Sequence, residues 1–166
     1  KRYISQGSLE HTNSKRAHRR NTSSKMNINS NRPCWDEIWM KFAKIISERS
    51  YDPRMKVGSV IVTSDNSTVL SLGYNGNYPS GPNVPDSIEP GRSGFIHAEI
   101  NSLIKCPFHY HTEKIMYVTL SPCIQCAKAI ITGGIKTVVY CDEYRDISGI
   151  KLLNKAKVQT RQYLLE

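Results

Sequence analysis

The chain has 166 residues, 39% of them apolar and 22% charged, with a formal net charge of +9; this is enough for one domain with an ordinary core. No stretch approaches the ~18 apolar residues of a membrane span, and the first residues lack the apolar centre of a secretory signal. Five cysteines, an odd number, speak against a disulfide framework and for a reducing, cytoplasmic setting.

The charge is unevenly placed. Residues 1–32 carry eight basic side chains against Glu10 alone, a net +7, whereas 33–166 hold 15 basic and 13 acidic residues, a net +2. Residues 1–31 are polar, without an apolar period, and read as a disordered basic extension. Such a tail suits contact with nucleic acid, and its Arg, Ser and Asn content would also suit an organelle import segment. Residues 32–166 are read as the folded domain.

In chain order, Trp35, Ile38, Trp39, Phe42, Ile45 and Ile46 recur at spacings of three and four, which predicts an amphipathic helix over 34–50. The β-branched run 56–63 predicts a strand, 64–67 a turn, and 68–74 its hairpin partner. Residues 75–93 hold four of the eight prolines and predict a long loop, of the kind that is usually functional. A helix follows over 97–105, then a strand at Lys114–Leu120 and a helix at Ile124–Thr132 closed by Gly133 and Gly134. A strand over 136–141, a short helix at Ser148–Lys155 and a strand over 158–163 complete the pattern. Alternation of this kind predicts an α/β layered domain with a partly parallel sheet.

Two segments carry chemistry. His97-Ala98-Glu99 reads H-x-E, and Pro122-Cys123-Ile124-Gln125-Cys126 reads P-C-x-x-C. A lone C-x-x-C also fits a redox pair or half of a structural zinc knuckle. Jointly and in this order, the two resemble the signature of zinc-dependent nucleobase deaminases. His97, Cys123 and Cys126 then supply three zinc ligands and leave one position for water, as a catalytic zinc site requires. Cys123 falls at a predicted helix start and Cys126 one turn later, so both sulfurs can face one point, where backbone N–H groups favour thiolates. Glu99 is the expected proton carrier, taking a proton from the water, delivering it to the ring nitrogen next to the reacting carbon, and later protonating the departing amine.

Further residues extend the resemblance to the deoxycytidylate (dCMP) deaminase family, a branch of the cytidine deaminase superfamily. They are Arg54 to Gly58, Gly73 to Gly76, Ile96 to Asn101, Tyr117 to Cys123 and Cys126 to Lys128, continuing through Gly134 to Lys136, Val139, Tyr140 and Tyr144. The resemblance covers roughly 33–163. It implies a three-layer cytidine deaminase-like fold, with a mixed five-stranded sheet flanked by helices. It implies zinc-dependent hydrolysis of dCMP to dUMP and ammonia, in a homo-oligomer, often a hexamer, regulated by dCTP and dTTP. Among substrate contacts it implies Asn75, Arg54 at the 5′-phosphate, Ala98, Ser121, and Tyr144 over the base. Asn75-Gly76 also fits a type I′ turn, and Arg54 also fits a solvated loop arginine.

The chain departs from the family in the loop that in many relatives binds a second zinc. Residues 76–96 contain neither Cys nor His, so one zinc per chain is expected. Asp86 and Glu89 in that loop could bind Mg²⁺ with an allosteric nucleotide, or be plain solvated acids. His109 and His111 could be read as a metal pair in a surface loop. Cys34, Cys106 and Cys141 read as small core residues, and Asn101 as a helix–loop contact. Two other function classes fit part of the sequence: a deaminase of tRNA or single-stranded nucleic acid, recruited by the basic tail, and a non-catalytic scaffold subunit of deaminase fold. The near-neutral domain speaks against the first and Glu99 against the second.

Overall fold

In a computed structural model, residues 32–107 and 113–165 are described. Pro33–Glu166 form one compact unit. The elements are α1 (Trp35–Ser47), β1 (Gly58–Thr63), β2 (Val69–Tyr74), α2 (Ala98–Lys105), β3 (Lys114–Leu120), α3 (Ile124–Thr132), β4 (Ile135–Asp142), α4 (Ser148–Lys155) and β5 (Gln159–Gln162). The basic segment 1–31 and the pair His109 and His111 lie outside the described residues. Among the described residues no helix is long and apolar enough to cross a membrane.

The strands form one sheet in the order β2-β1-β3-β4-β5. β1 pairs antiparallel with both β2 and β3, while β3–β4 and β4–β5 are parallel. The antiparallel β1–β2 pair closes through a short turn at 64–67, where Asn66 takes φ 61°. The parallel pairs need crossovers, and α3 and α4 supply them.

Alternate residues of the central strands face opposite layers, as a period of two demands. Ile61, Met116, Val118 and Val138 pack with Ala98, Ala127, Ile130 and Leu153, so α2, α3 and α4 cover one face. Val60, Val62, Tyr117 and Val139 pack with Met40 and Ala43 of α1 on the other. All six residues of β1 are buried, as expected of a strand covered on both faces. The result is the expected three-layer fold with a mixed five-stranded sheet.

α1 departs from its sequence reading in which face it buries. Met40, Ala43 and Ser47 are its buried residues, while Trp35 is 47% and Ile45 60% exposed. Gly58 explains the difference, because a Cβ there would lie 2.0 Å from the Ala43 carbonyl oxygen. The helix rests its narrow side on the strand; Trp39 and Phe42 pack half-buried at the edge of the core, while Trp35, Ile38 and Ile45 stay outside. Asp36 reinforces this seat: the buried Tyr117 hydroxyl donates to it at 2.7 Å, and Arg161 of β5 pairs with it as well.

Candidate active site

Two helix N-termini converge below the ends of β1 and β3. His97 is the N-cap of α2 and Cys123 the N-cap of α3, both with extended backbone. Capping residues lie outside the helix, so their side chains are free to point past its end. One turn into α3 lies Cys126. The donor atoms of His97, Cys123 and Cys126 all lie within 4.8 Å of one another. His97 Nδ1 is 3.2 Å from Cys126 Sγ and 3.7 Å from Cys123 Sγ. Among the described residues these three are the one His, Cys, Asp or Glu group placed to hold a metal ion.

The electrostatics suit a cation. A hydrogen bond from the Cys126 thiol, then one from His97, holds Cys123 down to about 3, so it is a thiolate. That same hydrogen bond to the Cys123 sulfur, with burial, pushes the Cys126 thiol up. The hydrogen bond to Cys123 raises His97. Protons therefore stand in for a positive ion at this point. One nitrogen and two sulfurs at bonding separation fit zinc, and three protein ligands leave a position open for water.

Glu99 completes the group. It lies in the first turn of α2, 4% exposed, and burial pushes its carboxyl well above the usual range. Its helix is fixed from beneath. Ser102 Oγ donates to the Glu99 carbonyl at 2.9 Å and lies 3.0 Å from Ser59 Oγ of β1. Asn101 Nδ2 donates to the Tyr74 carbonyl at 2.9 Å, a helix-to-loop contact as the sequence suggested.

The group opens into a cavity of about 990 Å³ whose lining includes every predicted site residue: Arg54, Asn75, His97, Ala98, Glu99, Ser121, Cys123, Cys126 and Tyr144. Ala98 is fully buried at the first turn of α2. Ser121 Oγ accepts from the Tyr144 N–H at 2.8 Å and so anchors the loop carrying Tyr144. Tyr144 faces the segment 90–94 across the cavity mouth, with the guanidinium of Arg145 5.6 Å from its ring and reaching the Pro90 carbonyl at 3.5 Å. Asn75 is no I′ turn residue, since neither it nor Gly76 has positive φ; Gly76 instead bridges to Ile96. The Asn75 side chain donates to Asp52 Oδ2 at 3.1 Å and to the Met55 carbonyl at 2.8 Å, and accepts from the Val57 N–H at 2.8 Å. Arg54 is exposed and lines the rim.

One reading does not survive. Cys34 is exposed, 3.7 Å from the Tyr163 hydroxyl, because it precedes α1 at the domain's edge, whereas Cys106 and Cys141 are buried as expected. Asp86 and Glu89 join no metal-holding group among the described residues. Glu89 pairs with Arg92 at 3.5 Å. The Asp86 carboxylate fills the space a Cβ on Gly94 would take, 1.9 Å away, beside a backbone with φ +70° that favours glycine. The sequence reading missed Asp52, an 8%-exposed carboxylate in the cavity wall. Its one signal was Asp-Pro at the head of a short loop, a common turn start.

A His-Cys-Cys centre with a buried carboxyl beside it, set at two helix ends on a mixed five-stranded sheet, defines the class of zinc-dependent deaminases. Comparison with known proteins narrows this. The family model described as "Cytidine and deoxycytidylate deaminase zinc-binding region" matches residues 33–142, and the chain belongs to that family. The human protein named deoxycytidylate deaminase is 34% identical over 146 residues, covering 78% of this chain and 80% of the human one. ComE operon protein 2 of Bacillus subtilis is 37% identical over 117 residues, or 67% of this chain, which spans 61% of that relative's length. The dCMP deaminase of cyanophage S-TIM5, solved in complex with dCMP and dUMP, superposes with a TM-score of 0.70 at 32% identity, covering 80% of this chain and 98% of the phage one.

Proposed function

We propose that this chain hydrolyses dCMP to dUMP and ammonia. One observation carries the reading: a single cavity holds the His97–Cys123–Cys126 centre, the buried carboxyl of Glu99 and, at its rim, Arg54. The relative solved with dCMP and dUMP, which this chain matches over nearly its whole length, supports the choice of nucleotide.

His97, Cys123 and Cys126 would hold one zinc ion per chain, and the chemistry it would supply there is a lowered pKa for a bound water. Glu99 moves the proton. Burial raises its carboxyl above its ordinary value and so favours the protonated form from which it gives a proton. It takes one proton from the attacking water as C4–O forms and delivers it to N3 of cytosine. It then moves the second proton, from the new hydroxyl, to the amine, so that C4–N breaks and ammonia leaves as C4=O forms. The N–H groups at the start of α2, with Ala98 first, face the base. Tyr144, held by Ser121, covers it. Asn75 Oδ1 keeps one lone pair for a sugar hydroxyl. Arg54 binds the 5′-phosphate, a task for which the planar guanidinium fork is suited.

Five free cysteines fit a reducing, cytoplasmic setting. The exposed Trp35, Ile38 and Ile45 on α1 support self-association into a homo-oligomer, which light scattering would measure. The deciding assay offers zinc-loaded protein dCMP, deoxycytidine, CMP and a short single-stranded oligonucleotide, with and without residues 1–31. Ammonia release from dCMP independent of that segment supports the reading. Release from the oligonucleotide alone would assign the chain to polynucleotide deamination.

A further inference from the structure

We propose that Asp52 and Asn75 form a positioning pair that presents Arg54 to the phosphate of the substrate, an inference that rests on the reading of Arg54 above. Residues 51–57 form an irregular loop between α1 and β1. Such a loop holds one shape only if its backbone polar groups find partners. Here those partners come from two side chains. The N–H groups of Arg54 and Met55 donate to Asp52 Oδ1 at 2.9 and 3.2 Å. The Met55 carbonyl accepts from Asn75 Nδ2 at 2.8 Å, and the Val57 N–H donates to Asn75 Oδ1 at 2.8 Å. Asp52 Oδ2 closes the circuit by accepting from Asn75 Nδ2 at 3.1 Å. Ser50 Oγ clamps the base, donating to the Asn75 carbonyl at 2.8 Å and accepting from the Asp52 N–H at 3.1 Å.

Asp52 and Asn75 are 8% and 6% exposed, so these bonds form away from competing water. Arg54 sits in the middle of the clasped segment, and its guanidinium makes no hydrogen bond or ion pair with the other described residues. The neighbouring rim arginines are engaged: Arg92 pairs with Glu89, and Arg145 reaches the Pro90 carbonyl. A fixed backbone under an uncommitted head group is what capture of a mobile anion requires, because less ordering remains to be done on binding. The hydrogen bonds of the Asp52 carboxylate to described residues all serve residues 54, 55 and 75, so the pair acts on the loop rather than on the sheet.

Asp52→Asn tests this, since its new amide group must face either the Asn75 amide or the two backbone N–H donors. Binding of dUMP and of deoxyuridine is measured by calorimetry on zinc-loaded full-length protein, with KM for dCMP alongside. D52N should weaken dUMP about tenfold and deoxyuridine less than about twofold, and the loss should show in KM. D52N/R54A should bind dUMP no more weakly than R54A. Equal loss for both ligands, or wild-type dUMP affinity in D52N beside a weakened R54A, would overturn the positioning role and leave the Arg54 reading intact. Wild-type dUMP affinity in R54A would instead overturn that reading. Should D52N not fold, S50A removes two bonds of the same clasp and should give the same phosphate-selective pattern, about threefold in size.

Discussion

At Glu99 the proposed chemistry rests on the burial of a carboxyl beside the His97, Cys123 and Cys126 donor atoms. Glu99→Gln keeps the shape and one hydrogen-bonding oxygen but cannot carry a proton. It should retain zinc by metal analysis while kcat falls by about 10²–10⁴; a zinc-loaded variant near wild-type rate would remove Glu99 from the mechanism. Cys123 permits a second test on metal-free protein. Its acidity, about 3, keeps it a thiolate far below neutrality. Alkylation of this residue, followed by peptide mass spectrometry, should hold a nearly constant rate from pH 7 down to about 5. An ordinary thiol, with a pKa near ~8.5, loses about tenfold per pH unit over that interval, and such a slope would contradict the assigned thiolate. The candidate metal-holding residues were legible because the spacing of Cys123 and Cys126 is one helical turn. Their unequal protonation was not, because it depends on distances that only folding fixes.

At the scale of elements, the site depends on how closely α4 and β2 approach the helices that carry it. Gly149 of α4 lies so near the start of α3 that a Cβ would come 2.0 Å from the Pro122 carbonyl oxygen and 2.8 Å from that of Cys123. Gly149→Ala must therefore displace the residues that aim the first thiolate. Zinc affinity, measured by competition with a chelator, should fall about 10–100-fold, the range seen when support behind metal ligands is lost. Unchanged affinity would mean that α4 shifts instead. Gly73 does the same for α2, since a Cβ there would meet the Ala98 carbonyl oxygen at 2.4 Å. Element type was readable along the chain: β3, α3 and α4 match their predicted spans, and the other boundaries move by a few residues. The buried face of α1 was readable only in part, since Trp39 and Phe42 of its apolar stripe do pack on the core. Its stripe of large apolar residues is the more hydrophobic side, yet close approach to Gly58 favours Met40, Ala43 and Ser47.

For the whole molecule, an ion held by His97, Cys123 and Cys126 would tie the start of α2 to the start of α3, so its removal should loosen the domain as well as stop the proposed reaction. At a thousandfold excess over Kd, zinc should stabilise the fold by about 4 kcal/mol, and chelation should lower Tm by on the order of 10 °C. Metal analysis should return one zinc per chain; two would show a second site. By itself the sequence determined the chemistry, because a metal centre is built from residue types at short spacings, and H-x-E and P-C-x-x-C place His97, Glu99, Cys123 and Cys126 at helix starts. It also determined the layered α/β plan, since periods of two and of three to four residues record which faces are covered. Only the tertiary structure decided what surrounds that centre. The cavity wall joins Asp52, Asn75 and Tyr144 from segments far apart in the chain. Asn75 proved to be a partner of the 50–57 segment through every polar atom it has. Contacts of that kind follow from packing distances and from the need to pair buried polar groups, and neither leaves a periodic trace in the order of residues.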